Sequence, residues 1–132
     1  MDYNEIAAKW WGDKIRNIGP EDFRDGKQNK ACGMANSIQT MQAIETKPDE
    51  QTINRFEKVL ARYIKKQVER YGGIMVYVDY MPCNILLSAS EAVGMITQCW
   101  PWKTIMWVDF HNVEVADGYR KPVKSIYKNY EK

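Results

Sequence analysis

Apolar side chains recur at three- and four-residue spacing in the first part of the chain and at two-residue spacing after Gly72-Gly73. Tyr3, Ile6, Ala7, Trp10, Trp11, Ile15 and Ile18 form a helical stripe that opens on the capping-box spacing of Asp2 and Glu5 and closes at Gly19-Pro20. The segment from Pro20 to Lys30 is a polar loop with an Asp25-Gly26 turn and Phe23 as an apolar anchor. Ala31, Met34, Ala35, Ile38 and Met41 predict a second helix over about Ala31 to Glu45, and its small residues Gly33, Ala35 and Ser37 would let another backbone come close. A third helix is the best-defined element: Ile53, Phe56, Val59, Leu60, Tyr63, Ile64, Val68 and Tyr71 share one face between Pro48-Asp49 and Gly72. Its other face carries Arg55, Lys58, Arg62, Lys65, Lys66 and Arg70 with Glu57 and Glu69 interspersed, the pattern of a solvated face.

After the glycines, Ile74, Val76, Val78 and Tyr80 alternate with Met75, Tyr77 and Asp79, which predicts a strand closed by Met81-Pro82. Asn84 is placed to cap a short helix through Ile85, Leu86, Ala89 and Ala92 that ends at Gly94. "TIMWVDF" (Thr104 to Phe110) is β-branched and aromatic enough for a strand, and "VEVADGY" (Val113 to Tyr119) reads as its hairpin partner across His111-Asn112. The expected fold class is therefore α+β, with about three N-terminal helices packed on a small, mainly antiparallel sheet of about three strands and a short helix inserted. Residues 1–132 read as a single domain without internal repeat or linker.

Hydrophobic content of 45% and charged content of 27% are those of a globular chain. There is no apolar run of the roughly 20 residues needed to span a bilayer, and "MDYNEIAAKWW" is unlike a signal peptide, so the expected location is the cytoplasm. Cys32, Cys83 and Cys99 are odd in number and form no CxxC pair, which argues against a disulfide framework and a zinc knuckle. A net charge of +2 is too weak to steer nucleic acid, leaving any basic site local. The C-terminal "DGYRKPVKSIYKNYEK" holds Arg120, Lys121, Lys124, Lys128 and Lys132 among Tyr119, Tyr127 and Tyr130, and reads first as a solvated tail.

His111 is the chain's single histidine, which excludes a metal site built on two imidazoles, and its place in a hairpin turn makes it an exposed residue. No phosphate-binding glycine loop and no nucleophile elbow are present. Asp79, Asp109 and Glu114 are the acids a carboxylate-based reaction or a divalent ion would need, but on alternating strands such acids normally turn to water. The expectation is no enzyme, with no catalytic residue, metal or cofactor.

The aromatic residues are the remaining signal. "CWPWKTIMWVDF" (Cys99 to Phe110) gathers Trp100, Trp102 and Trp107, and tryptophan is favoured where a surface must be apolar and still able to hydrogen-bond. "WPWK" places Lys103 after Trp102, and "GYRKP" places Arg120 and Lys121 after Tyr119; the hairpin brings both segments to one sheet edge. Stacking rings beside cations have the composition of a nucleotide-type pocket, with Trp102 and Tyr119 stacking and Lys103, Arg120 and Lys121 meeting phosphate. Trp10, Trp11 and Trp100 are assigned to an interface, Trp107 to the interior of the strand, and the surplus of aromatic area to a homo-oligomer, a dimer at least. The plain alternative is that Trp100, Trp102 and Trp107 form a core against Trp10 and Trp11.

"KWWGDKIRNIGP" (Lys9 to Pro20), "GMA" (Gly33 to Ala35), "PWKTIMWV" (Pro101 to Val108) and "GYRKP" (Gly118 to Pro122) together resemble small proteins of phages and prophages in gut Firmicutes. The resemblance implies an accessory binding protein rather than a metabolic one, and transfers no catalytic residue. Proteins of that kind and size often block a host defence component. Two readings stay open: a sponge for a small anionic, nucleotide-like signal, and an inhibitor of a host defence protein or a homo-oligomeric structural module.

Overall fold

A computed structural model describes residues 1–17, 48–79, 81–95, 100–101, 103–118 and 121–129. Within them the expected α+β architecture is present: helices α1 (Tyr3–Arg16), α2 (Glu50–Tyr71) and α3 (Asn84–Ala92), and an antiparallel sheet of β1 (Gly73–Val78), β2 (Thr104–Asp109), β3 (Asn112–Ala116) and β4 (Val123–Lys128) in the order β1-β2-β3-β4. The helix expected over Ala31 to Glu45 lies outside the described residues.

Local chemistry sets the helix ends. Asp2 and Glu5 form the reciprocal capping box at the start of α1. Asp49 caps α2 by accepting the Thr52 N–H at 2.8 Å, and the Thr52 side chain first, with that N–H second, holds its carboxyl below the usual carboxylate range. Gly72 ends α2 at φ 85°, a left-handed conformation that a Cβ would strain. The short helix begins one residue earlier than expected, with Cys83 rather than Asn84 at its cap. The Cys83 N–H donates to the Tyr77 carbonyl at 2.9 Å, tying that cap to β1.

The helices cover one face of the sheet. Trp11, Ile15, Ile53, Phe56, Leu60, Ile64 and Val68 meet Val76, Val78, Met106, Val108, Val113 and Val115 in one core, each at most 3% exposed. Trp100 is 8% exposed and packs edge-on against Phe56 at 5.9 Å between centroids. Trp11 is fully buried and edge-on to Trp10 at 5.0 Å. Its indole N–H and the Tyr3 hydroxyl find no hydrogen-bond partner among the described residues, so these rings serve the core by volume.

A polar clamp fastens α1 to α2, beside the buried bond that Asn4 Nδ2 donates to the Ala61 carbonyl at 3.2 Å. Arg16 Nη1 and Nη2 donate to the two carboxylate oxygens of Glu57 at 2.6 and 3.0 Å, Nε to Glu50 at 2.7 Å, and further bonds reach Asp13 and Asn54, each at 2.8 Å. Glu57, expected on a solvated face, is thus a partner of Arg16, with side chains 17% and 18% exposed. Its hydrogen bonds are the largest cause holding the Arg16 guanidinium even more firmly protonated than usual. The carboxylate fits because Gly12 lies beneath it: a Cβ there would come within 2.6 Å of Glu57 Cγ.

Two corrections concern the sheet. It has four strands where about three were expected, because part of the expected solvated tail is β4, paired with β3 from Asn112↔Lys128 to Ala116↔Val123. Trp107, expected inside, points outward and is 38% exposed. The register decides this: Trp107 lies opposite Met75 and Met106 opposite Val76, so once Val76 faces the helices Trp107 must face away.

Candidate functional site

The face of the sheet turned away from the helices is built from two rows. Tyr77, Ile105, Ala116 and Val123 stand side by side across the four strands; Met75, Trp107, Glu114 and Ser125 form the next row. Polar residues would be expected on a face turned to water, yet Met75 is 55% exposed, Tyr77 40%, Ile105 37%, Trp107 38% and Val123 51%. With large side chains of on the order of 150–250 Å² each, these fractions leave roughly 450 Å² of contiguous apolar surface, within the range of the largest and often functional patch on a monomer.

At one end of this face the hairpin geometry does what the sequence implied. The segments before β2 and after β3 meet there, and Lys103 and Lys121 line one hollow of about 470 Å³ with Tyr77, Asp79, Ile105 and Gly118. Lys103 has a left-handed backbone, φ 55°, unusual for a residue with a side chain, and its ammonium is paired with Asp79. One of the two described cations in this hollow is therefore already matched by an acid. Trp102, Tyr119 and Arg120, the other residues assigned to ligand binding, lie outside the described residues.

The tryptophans assigned to an interface separate. Trp11 and Trp100 belong to the core, the first fully buried and the second 8% exposed, so neither offers a partner a surface. Trp10 is partly buried against the core, with Lys14 over its ring at 5.1 Å. The side chains that do form an apolar surface, Met75, Tyr77, Ile105 and Val123, were not singled out. Their signal lay in the β1 alternation, where Met75 and Tyr77 fall on the parity opposite Val76 and Val78.

Among the described residues the sheet's edges are protected while its outer face is not. Beside β1, the returning chain pairs Val78 with Pro82 and Cys83 N–H with Tyr77 O, occupying the end of that edge. At the other edge, β4 carries exposed Lys124 and Lys128 and lies opposite a register irregularity between Val113 and Glu114. Edge lysines and bulges are common devices against strand-to-strand association.

A second hollow, of about 590 Å³, lies between α2, α3 and β1, with Tyr63, Lys66, Asn84 and Ser88 on its walls and Met75 and Tyr77 on the ridge it shares with the first. The acids considered for catalysis have structural work: Asp79 pairs with Lys103, and Asp109 accepts the N–H groups of His111 and Asn112, both at 2.7 Å, to form the β2–β3 turn. Glu114 stands across from Trp107 on the outer face. His111 is exposed in that turn, as expected. No group of three or more His, Cys, Asp or Glu side chains that could hold a metal occurs among the described residues, and no described helix is long and apolar enough to cross a membrane. No family model matches the sequence, and no curated protein matches it.

Proposed function

We propose that the protein is a non-enzymatic accessory binding protein of the host cytoplasm that works through protein–protein contact on the outer face of its sheet. The observation that carries this reading is the apolar row Tyr77, Ile105, Ala116 and Val123, continued by Met75 and Trp107, on a face the described helices do not cover. Such a surface is costly to leave in water and has the apolar, aromatic make-up of an interface centre. With the edges blunted by the 81–83 segment and by lysines, contact is directed to the face. The resemblance to prophage accessory proteins agrees with a role of this kind.

A photo-crosslinking side chain placed in turn at Ile105, Tyr77 and, as a control, the exposed helix position Lys58 tests the reading in expressing cells. Protein adducts are expected at Ile105 and Tyr77 and not at Lys58. Absence of protein adducts at both sheet positions overturns it.

A second reading, sequestration of a small anionic nucleotide-like ligand, is favoured by Lys103 and Lys121 lining one hollow. It ranks lower because Lys103 is matched by Asp79 and the remaining wall is mainly apolar. Calorimetric titration with a nucleotide panel tests it; binding that is lost in Lys121→Ala would favour it over the protein-contact reading.

A further inference from the structure

The two halves of the outer face differ in size and charge in a way that fits the face to itself. The β1–β2 half presents the large side chains Met75, Tyr77, Ile105 and Trp107. The β3–β4 half presents Ala116, Val123 and Ser125 with Glu114, which are smaller. At the end of the sheet that carries the hairpin-edge hollow, the acid Asp79, which Lys103 pairs within the chain but which keeps 57% of its side chain exposed, follows β1, and the cation Lys121 precedes β4.

From this complementarity we infer that the occupant of the outer face is a second copy of this chain, stacked face to face about a two-fold axis that runs along the strands between β2 and β3. The inference rests on the protein-contact reading above and names the partner. Such an axis keeps each row opposite itself and reverses the strand order, so β1 lies over β4 of the second copy and β2 over its β3. Tyr77 then lies over Val123, Ile105 over Ala116, Met75 over Ser125, Trp107 over Glu114, and Asp79 over Lys121 of the other copy. Large side chains meet small ones throughout the apolar row, as interdigitation of two sheets about 10 Å apart requires. Other pairings of the two faces lose this fit: an axis perpendicular to the strands would oppose the apolar row to the row holding Glu114 and Ser125.

The area suits a reversible dimer. Four strands at about 4.8 Å spacing and six residues at about 3.3 Å rise make a face roughly 20 Å on a side, with on the order of 600 Å² of accessible surface per copy, somewhat below the roughly 800 Å² of a standard interface. An apolar centre of roughly 450 Å² within it makes the face more apolar than the roughly 65% typical of homodimer interfaces. Assembly is thus expected in the micromolar range rather than as an obligate dimer.

Sedimentation velocity of the full chain from about 1 to 100 µM, the range set by an interface of this size, tests the proposal. The wild type is expected to pass from monomer to dimer, Ile105→Glu to stay monomeric, and Asp79→Lys and Lys121→Asp each to weaken association at least tenfold. Mixing the last two variants is expected to restore the dimer, because one chain then carries two lysines opposite two aspartates of the other. Circular dichroism of each variant checks that it is folded; Lys121→Asp, which leaves the Lys103–Asp79 pair in place, serves if Asp79→Lys is not. A wild type monomeric throughout overturns the inference, as does a dimer that survives Ile105→Glu. A dimer that Ile105→Glu abolishes but that neither charge variant weakens, or that mixing fails to restore, overturns the two-fold placement. Crosslinked adducts at Ile105 to a protein of another mass, with a monomeric wild type, refute the second copy and leave the protein-contact reading standing. Absence of both adducts and dimer removes the two together.

Discussion

Replacing Arg16 with alanine is expected to cost far more than the loss of a surface ion pair, and the reason is Glu57. Hydrogen bonds to Asp13, Glu50, Asn54 and Glu57 converge on the Arg16 side chain, two of them from its fork to the two oxygens of Glu57. With Glu57 only 17% exposed, Arg16→Ala leaves a largely buried carboxylate without the partner that matches it. One-sided removal of a fully buried pair costs about 3–5 kcal/mol and of an exposed pair about 0.2–1; partial exposure here puts Arg16→Ala near 2.5 kcal/mol. Glu57→Ala should be milder, about 1 kcal/mol, since Arg16 keeps Glu50, Asp13 and Asn54. The double variant no longer buries an orphan charge, so its cost should fall short of the sum of the two by about 2 kcal/mol. Urea unfolding followed by far-ultraviolet circular dichroism measures all three; at a slope of about 2 kcal/mol per molar, Arg16→Ala lowers the midpoint by slightly more than 1 M. A cost below about 0.5 kcal/mol for Arg16→Ala, or single costs that add within that margin, would refute the claim that α1 is clamped to α2 through this pair.

Gly12→Ala should destabilise by about 2 kcal/mol despite alanine's better helix propensity, because its Cβ displaces the Glu57 carboxylate from Arg16, and most of that cost should disappear in a Glu57→Ala background. Asp49 gives a pH signature. Its folded pKa lies below the ordinary aspartate value, so the unfolded chain binds the proton more readily, and the stabilisation is full above that ordinary value and lost as pH falls through the depressed one. Asp49→Asn retains a capping oxygen without the titration, so the wild type should lose melting temperature faster than Asp49→Asn between pH 5 and pH 2. Parallel curves would show that the cap charge does not contribute.

What could be read from the sequence was local. The ends of α1 and α2 were legible because Asp2, Glu5, Asp49 and Gly72 act on backbone groups within a turn of themselves. The β4 strand was not, because "VKSIYK" interrupts its apolar positions with lysines; those lysines are better understood as marks of an edge strand. Trp107 was misplaced because "TIMWV" is apolar on both parities and only pairing with β1 separates them. The Arg16–Glu57 clamp joins residues 41 apart on different helices, and no spacing rule reports it. At the candidate site, the convergence of Lys103 and Lys121 followed from hairpin geometry alone, while the Asp79–Lys103 pairing needed three dimensions.

The distribution of tryptophan between layers bears on why the outer face is apolar. Among the described residues, Trp11 and Trp100 fill the helix-facing core, and Val76, Val78, Met106, Val108, Val113 and Val115 complete the sheet's inner side without drawing on Trp107, Ile105, Tyr77 or Met75. At about 25 cal/mol per Å², roughly 450 Å² left in water forgoes about 10 kcal/mol of burial, comparable with the whole stability of a domain. Covering the face with a polar partner would recover only that side's share. Covering it with a second copy buries two such faces at once, a gross gain of about 20 kcal/mol against an association cost of about 4–15. These figures leave about 5–16 kcal/mol, a range too wide for area alone to set the affinity, so where assembly falls depends on the large-over-small fit of β1–β2 on β3–β4. Contacts at Tyr77 and Ile105 should therefore govern whether the chain pairs, and the charges at Asp79 and Lys121 should govern in which orientation.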